Sequence, residues 1–469
     1  MTREQRRVAL AVCTCVGLTF LVSAGLAFLI EPMSHDLRIS DAAVEVVLSI
    51  PSIASLTVIF VAGQIGDRLG HRKTLLLLSG LFIAGCLLCA GAQEVVGVVG
   101  GLALCGGTAT AVQIVALGLL QESFPEGAAR VSAFTTFGMV YPVAYMVFPV
   151  LTGALLDVAP WRLVPLIWAV AGVVMAGVVL VLVHVPTATR PLGEWLTLLL
   201  AGVTLAAGVR LVDSIGRRGI MAPGTRIALV VLVVGLIAFA VRFRTVAVAG
   251  FSFAPIRGTR MPALLLAVAV VALVEGVTYV ILAFEYLYDM SPLKAAAAII
   301  PARAGAAVGA KILATGAINR WGVAGAGRHL LLVLAVALLS LLGMQPTTPA
   351  WHLMFCAALF MTSAATAISV LNADVMSYAP AGRTGPISAL RGAAIEIGGG
   401  LSVVVLGASI ITAVNMSGGA SAVSADQIRH LAAGLRLDGS IGVVLVLIAW
   451  LALVIVSRNG TAPASRVSP

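Results

Sequence analysis

Seven charged side chains interrupt stretches otherwise built of Leu, Val, Ile, Ala and Gly: Glu275, Glu285, Arg303, Lys311, Asp374, Arg391 and Glu396. An ion held in hydrocarbon costs several kcal/mol unless it is paired or hydrated, so each is a candidate for chemistry. The chemistry open to carboxylates among guanidinium and ammonium groups is proton uptake and release. On a helix rising 1.5 Å per residue, Glu285 falls about 15 Å beyond Glu275, and Arg303 on an antiparallel neighbour lies within roughly 5 Å of Glu275 in depth. Desolvation favours the neutral acid and a nearby guanidinium favours the anion. Bringing Glu275 and Arg303 together and apart would therefore release and load a proton; the alternative is a permanent structural ion pair. Asp374 and Arg391 are expected to pair nearer one surface, which leaves Glu396 facing a cavity as a proton or ligand group. Lys311, two turns beyond Arg303, is expected to snorkel toward that surface, with attraction of an anionic ligand as the other reading.

The elements that position these groups follow from composition. Hydrophobic residues make up 60% of the chain and charged residues 10%, with a mean hydropathy of +1.10, whereas a soluble domain carries roughly 25% charged residues. Lipid is the solvent such a surface requires. Spanning it takes about 20 apolar residues as a helix or ~10 of alternating polarity as a strand. Residues 8–30, 74–92 and 442–456 show no alternation, so an all-α integral membrane bundle is expected, because unpaired backbone groups cannot face lipid.

Apolar runs separated by charge, Gly or Pro predict spans near 8–30, 43–64, 74–92, 95–120, 131–156 and 162–184, then 195–212 and 227–241, then 261–287, 294–318, 329–344, 351–376, 386–414 and 439–457. This gives about 14 transmembrane helices in three regions: 1–186, a six-helix half; 187–260, two helices and a basic linker; and 261–469, a second six-helix half. A twelve-span alternative lays the central pair in the interface. Lys and Arg collect on the side of the N-terminus, which places both termini in the cytoplasm and the chain in the inner (plasma) membrane. The Arg3, Arg6, Arg7 segment and its apolar run read as a retained first helix rather than a cleaved signal. Residues 426–437 read as a short interfacial helix.

Several classes are excluded. The formal charge of +10 is spread through short loops rather than gathered on one polar face, so nucleic acid is not an expected partner. Cys86 and Cys89 read as small apolar helix residues, not metal ligands. The six histidines are scattered over different loops, which argues against an enzyme. GDRLGHRKT lacks the Gly-Lys-Ser/Thr ending of a nucleotide-binding loop, so no cofactor is expected and a proton gradient is the expected energy source.

Between the second and third predicted helices stands Gly63-Gln-Ile-Gly-Asp67-Arg68-Leu-Gly70-His-Arg72-Lys73. It resembles the G-x-x-x-D-R-x-G-R-[KR] loop of the major facilitator superfamily, whose aspartate is understood to latch the cytoplasmic side by pairing with basic residues and a helix N-terminus of the opposite half. Gln121 to Arg130 resembles the loop after helix four, Pro149 and Gly153 the helix-five motif of antiporter members, and Trp161-Arg162 the entry to helix six. Tyr286 to Pro301, Gly316 to Gly322 and Arg383 to Gly399 resemble the fourteen-helix drug/proton antiporter branch. Leu102 and Ser23 stand where members often carry an arginine and an aspartate, Phe148 replaces the helix-five motif glycine, and Asn319 stands for an aspartate.

The resemblance implies the major facilitator fold, two six-helix bundles around a central two-helix insertion, and proton-coupled, alternating-access export of a lipophilic or amphiphilic small molecule by a monomer in the bilayer. An importer or lipid-moving member is the alternative. Tyr141, Tyr145, Phe134, Phe137, Tyr279 and Phe284 are candidates for an apolar cavity wall, with bundle core as the other reading.

Overall fold

The computed structural model describes residues 2–39, 41–125, 127–184, 195–245, 259–275, 292–379, 384–406 and 425–458, together with Val280, Ala283, Phe284, Leu287, Tyr288 and Met290. The described residues form α-helices joined by short turns: α1 (Arg3–Leu37), α2 (Asp41–Leu69), α3 (His71–Ala90), α4 (Val95–Ser123), α5 (Ala128–Leu156), α6 (Leu163–Leu182), α7 (Trp195–Arg218), α8 (Pro223–Thr245), α9 (Met261–Val274), α10 (Pro292–Val308), α11 (Ala314–Leu339), α12 (Ala350–Met376), α13 (Gly385–Val405) and α14 (Ala425–Arg458). Eleven stretches are long and apolar enough to cross a membrane, including both central ones, Trp195–Gly216 and Pro223–Thr245.

Local chemistry sets the boundaries. Thr2 and Gln5 form a reciprocal capping box at the start of α1, which satisfies two of the donors a helix N-terminus leaves unpaired. Gly70 stands at φ 84° between α2 and α3, a left-handed turn that a residue without Cβ adopts at no steric cost. A π-helical turn, Gly309–Leu313, joins α10 to α11. Gly322, at φ 68° and ψ 168°, breaks α11 and divides the 50-residue apolar stretch Lys294–Gly343 into two segments of spanning length.

One expectation fails at the far end. Residues 426–437 do not form a separate interfacial helix but belong to α14, a continuous 34-residue helix. Leu431, Ala432 and Leu435 are fully buried, so the apolar face that begins there runs on into the bundle and gives the chain no reason to turn.

Helix α2 packs on α4, α3 on α4 and α6, and α1 on α4, α5 and α6. In the later chain α9 packs on α12, α13 and α14, while α12 also holds α10 and α11. Contacts between these sets run through α2 with α13 and α5 with α10 and α12, and α7 lies against α2, α8 and α13.

Candidate functional site

Side chains of α1, α5, α9, α10 and α13 form a polar cluster inside the bundle, termed the chamber below. Arg303 projects from α10 and is 5% exposed. Its guanidinium carbon sits 5.3 Å from the Tyr141 ring centroid and 5.2 Å from that of Tyr145. The two tyrosines lie one turn apart on α5, so they share a face, with ring centroids separated by 4.6 Å. Phe20 of α1 meets Tyr141 edge-on at 5.4 Å and Tyr145 at 5.9 Å. Ser23, one turn along α1, faces the Tyr145 hydroxyl.

Glu275 caps the C-terminal end of α9, where the helix dipole disfavours a negative charge. The Arg303 charge acts on it, and it faces both tyrosines. Among the described residues no ion pair joins Glu275 to Arg303, and Arg303 Nη1 has no hydrogen-bond partner. Glu396 of α13 also lies within electrostatic reach of Tyr145. The chamber thus gathers two acids and one cation on an aromatic wall. Phe20 was not singled out in the sequence, because nothing distinguishes it from the other apolar residues of the first helix.

One charge placement differs from expectation. Asp374 pairs with Arg260, Oδ2 to Nη2 at 3.6 Å, and not with Arg391, which donates from Nη1 to Asn372 Oδ1 at 3.2 Å. Positions 372 and 374 point about 200° apart on a helix, so the α12 face turned to α13 carries the asparagine. Lys311 reaches toward the first turns of α5. Its ammonium crosses to α5 and donates to the Ser132 carbonyl at 2.8 Å, to Ser132 Oγ at 3.0 Å and to Thr136 Oγ1. The π turn that carries it packs on α5, and those oxygens satisfy the ammonium without water.

Phe134 and Phe284 are buried core residues and Phe137 packs against the same core. Pro149 lies within α5, and a Cβ built on Gly153 would meet open space. Glu285 and Tyr279 lie outside the described residues.

A second polar constellation closes the bundle at the end where α1 begins. The Asp67 carboxylate at the end of α2 accepts the Gly385 N–H at 3.0 and 3.1 Å and the Thr384 hydroxyl at 3.3 Å. These donors open α13, where the unpaired N–H groups and the dipole favour an anion. The approach is backbone to backbone: a Cβ on Gly63 or Gly385 would overlap the other's carbonyl. Ser388 Oγ donates to the Ile114 carbonyl at 3.0 Å and Gln121 Nε2 to the Met376 carbonyl at 2.8 Å. Arg72 donates to the Leu180 carbonyl at 3.1 Å, Arg68 is engaged in further interactions, and Lys73 is exposed.

At the opposite end Asp36 accepts Trp161 Nε1 at 3.0 Å and pairs with Arg162, which also donates to the Ala92 carbonyl at 2.9 Å. The Trp161 N–H and the Arg162 guanidinium hold the Asp36 carboxyl below its ordinary range. Those bonds stay within α1 to α6.

This arrangement has relatives. The family model of the Major Facilitator Superfamily matches residues 12–403. The chain belongs to that superfamily. Its members are transporters. Over 161 residues it is 28% identical to the multidrug efflux pump LfrA of Mycolicibacterium smegmatis (strain ATCC 700084 / mc(2)155), a match spanning 34% of this chain and only 32% of that protein. Two solved structures share the major facilitator fold at low identity. The human organic anion transporter MFSD10 (TETRAN) superposes with a TM-score of 0.67 at 15% identity, covering 97% of this chain and 100% of that one. The proton:xylose symporter XylE gives 0.63 at 14%, covering 96% and 95%. The superfamily fold accounts for the chamber lying between the two sets of helices, with the Asp67 closure at one end of it.

Proposed function

We propose that this transporter is a proton-coupled exporter of lipophilic or amphiphilic small molecules, of the fourteen-helix drug/proton antiporter branch. It works by rocking residues 1–186 against 261–469 about the chamber, with 187–260 as the central insertion. Both termini are cytoplasmic in this reading, the membrane is the inner one and the unit is a monomer. The closure at Asp67 then seals the cytoplasmic side, and the structure corresponds to the outward-facing stage.

The observation that carries the reading is charge imbalance in the chamber. The Arg303 guanidinium, spread over two tyrosine faces, acts on Glu275, and Glu396 lies near Tyr145 of the same wall. One cation cannot neutralise two buried carboxylates, so at least one acid must be held neutral by a proton or by cargo. Proton and cargo then occupy the chamber alternately, which is the condition for exchange. The aromatic wall of Phe20, Tyr141 and Tyr145 offers apolar faces to the cargo.

The test is uptake into inverted membrane vesicles of a fluorescent lipophilic probe, such as ethidium, with and without an imposed pH gradient. Acceleration by the gradient is expected in the unaltered protein, with loss of that acceleration in Glu275→Gln or Glu396→Gln. If neutralising both acids leaves the pH dependence unchanged, the coupling assignment fails. The uncharged Ser23 and buried Leu102 favour a second reading, an importer or lipid-moving member. In the same vesicles that reading gives movement in the opposite sense or indifference to the gradient.

A further inference from the structure

Between the chamber and the closure the two sets of helices also meet through a single cation. Lys311 sits in the π turn Gly309–Leu313, roughly 12 Å beyond Arg303 at 1.5 Å per residue. Its ammonium donates to the Ser132 carbonyl at 2.8 Å, to Ser132 Oγ at 3.0 Å and to Thr136 Oγ1, with Thr135 Oγ1 at 3.5 Å. Thr315, one turn further on, brings its hydroxyl to 3.2 Å from Thr135 Oγ1. We propose that Lys311 is a positioning residue for transport: a second latch, which joins the first turns of α5 to the π turn and breaks whenever the end at Asp67 opens.

The local backbone is built to deliver this side chain. A π turn departs from the regular helical count, and such turns are frequent at functional sites. This one packs on α12 as well as on α5, and a Cβ on Gly309 would lie 2.8 Å from the Thr362 carbonyl of α12. The backbone under Lys311 is therefore held by the later helices, whereas its ammonium is bonded to an earlier one.

The bonding suits a contact that must be remade in every cycle. All the hydrogen-bond partners of the ammonium among the described residues are neutral oxygens, and they lie toward the positive end of the α5 dipole, which adds no attraction for a cation. Asp67 is the opposite case, an anion set on a helix N-terminus that favours it. Lys311 is only half-buried, and an ammonium is a strongly hydrated point charge. Water entering as that end opens takes over its hydrogen bonds at small net cost. Lys311 has this role only if the two sets of helices part at the Asp67 end, as the alternating-access reading requires.

A native thiol reports the opening. Of the six cysteines Cys13 alone is not buried, and it lies within electrostatic reach of Lys311. The experiment measures alkylation of Cys13 by a water-soluble maleimide in the purified full-length protein in detergent, located by mass spectrometry. Lys311→Met is expected to speed the reaction by about tenfold, the loss of a charge-assisted hydrogen bond, and Lys311→Arg to restore the slow rate. Thr136→Val is expected to speed it by a smaller factor. That variant keeps the Lys311 charge beside Cys13, so its acceleration reports access rather than thiol chemistry. Monodisperse elution shows that each variant folds, and Thr136→Val decides the matter alone if Lys311→Met does not. An unchanged rate in Lys311→Met and Thr136→Val, or a rate in Lys311→Arg as fast as that of Lys311→Met, overturns the latch. Because alkylation is read without cargo or a pH gradient, failure of proton coupling at Glu275 and Glu396 would leave this result intact.

Discussion

The closure and the chamber are both polar constellations inside an apolar bundle, and they differ in how far their central charge is satisfied. At the closure, the Asp67 oxygens, the Thr384 hydroxyl, the Gly385 N–H and the Gln121 amide are hydrogen-bonded across the two sets of helices. In the chamber, Arg303 is as deeply buried yet keeps an Nη1 without a partner, with Glu275 near but not paired. Buried polar groups that are fully satisfied fix one geometry, whereas an unsatisfied one carries a standing cost that a ligand, a proton or a rearrangement can remove. The closure therefore holds a conformation and the chamber is poised to bind.

The sharpest way to break this contrast is Arg303→Met. A buried charge without an ion pair carries a desolvation cost that an apolar side chain of similar volume does not, and among the described residues Arg303 forms no ion pair. The variant is expected to keep or raise the detergent Tm while transport falls by about 100-fold, the consequence of roughly 3 kcal/mol of lost interaction with cargo or proton. Thermal unfolding and vesicle transport on the same preparation check it. A variant that unfolds at markedly lower temperature would show that Arg303 is a structural ion after all.

Gly63→Leu is the converse. Here a side chain is forced onto the Gly385 carbonyl, where no flexible group can give way, and overpacking of this kind costs about 1–3 kcal/mol or more. The closed end should lose population by roughly 10- to 100-fold, read as greater alkylation of a cysteine placed at Thr384. Binding of probe to the chamber should survive, because no chamber residue is displaced.

These two regions also differ in how far the sequence discloses them. The bundle was legible because apolar runs of spanning length are set by the thickness of the bilayer, and the predicted runs at 74–92, 95–120 and 351–376 lie close to α3, α4 and α12. Asp67 stood out because its loop has a length and charge pattern that few other folds share. Side-chain pairing was less legible. Asp374 and Arg391 have compatible depth, but which α12 residue faces α13 depends on helix rotation, and a shift of two positions exchanges Asp374 for Asn372. The partners of Lys311 were hidden for a related reason: the π turn under it changes the helical phase, and no residue in Gly309–Leu313 announces that turn. The missed chamber residue Phe20 shows the same limit, since only the approach of α1 to α5 gives it a role.

The smallest expected effect sharpens the contrast from outside both regions. Asp36 is the charged anchor at the end opposite the closure, and it is exposed. Its carboxyl is held below the ordinary range, first by the Trp161 N–H and then by Arg162. A group whose folded value is depressed contributes stability above its unfolded value, about 4 for an aspartate, and loses that contribution as pH falls through the lower folded value. Asp36→Asn keeps an acceptor for Trp161 but removes the charge opposite Arg162. The Tm of the unaltered protein should thus exceed that of the variant only slightly at neutral pH, since an exposed ion pair is screened by solvent. The difference should shrink toward zero once the pH drops below the carboxylate range. Since Asp36 binds only within α1 to α6, transport should be almost unchanged, unlike the response to Gly63→Leu. A large loss of transport in Asp36→Asn would mean that this end, too, forms a gate between the two sets of helices.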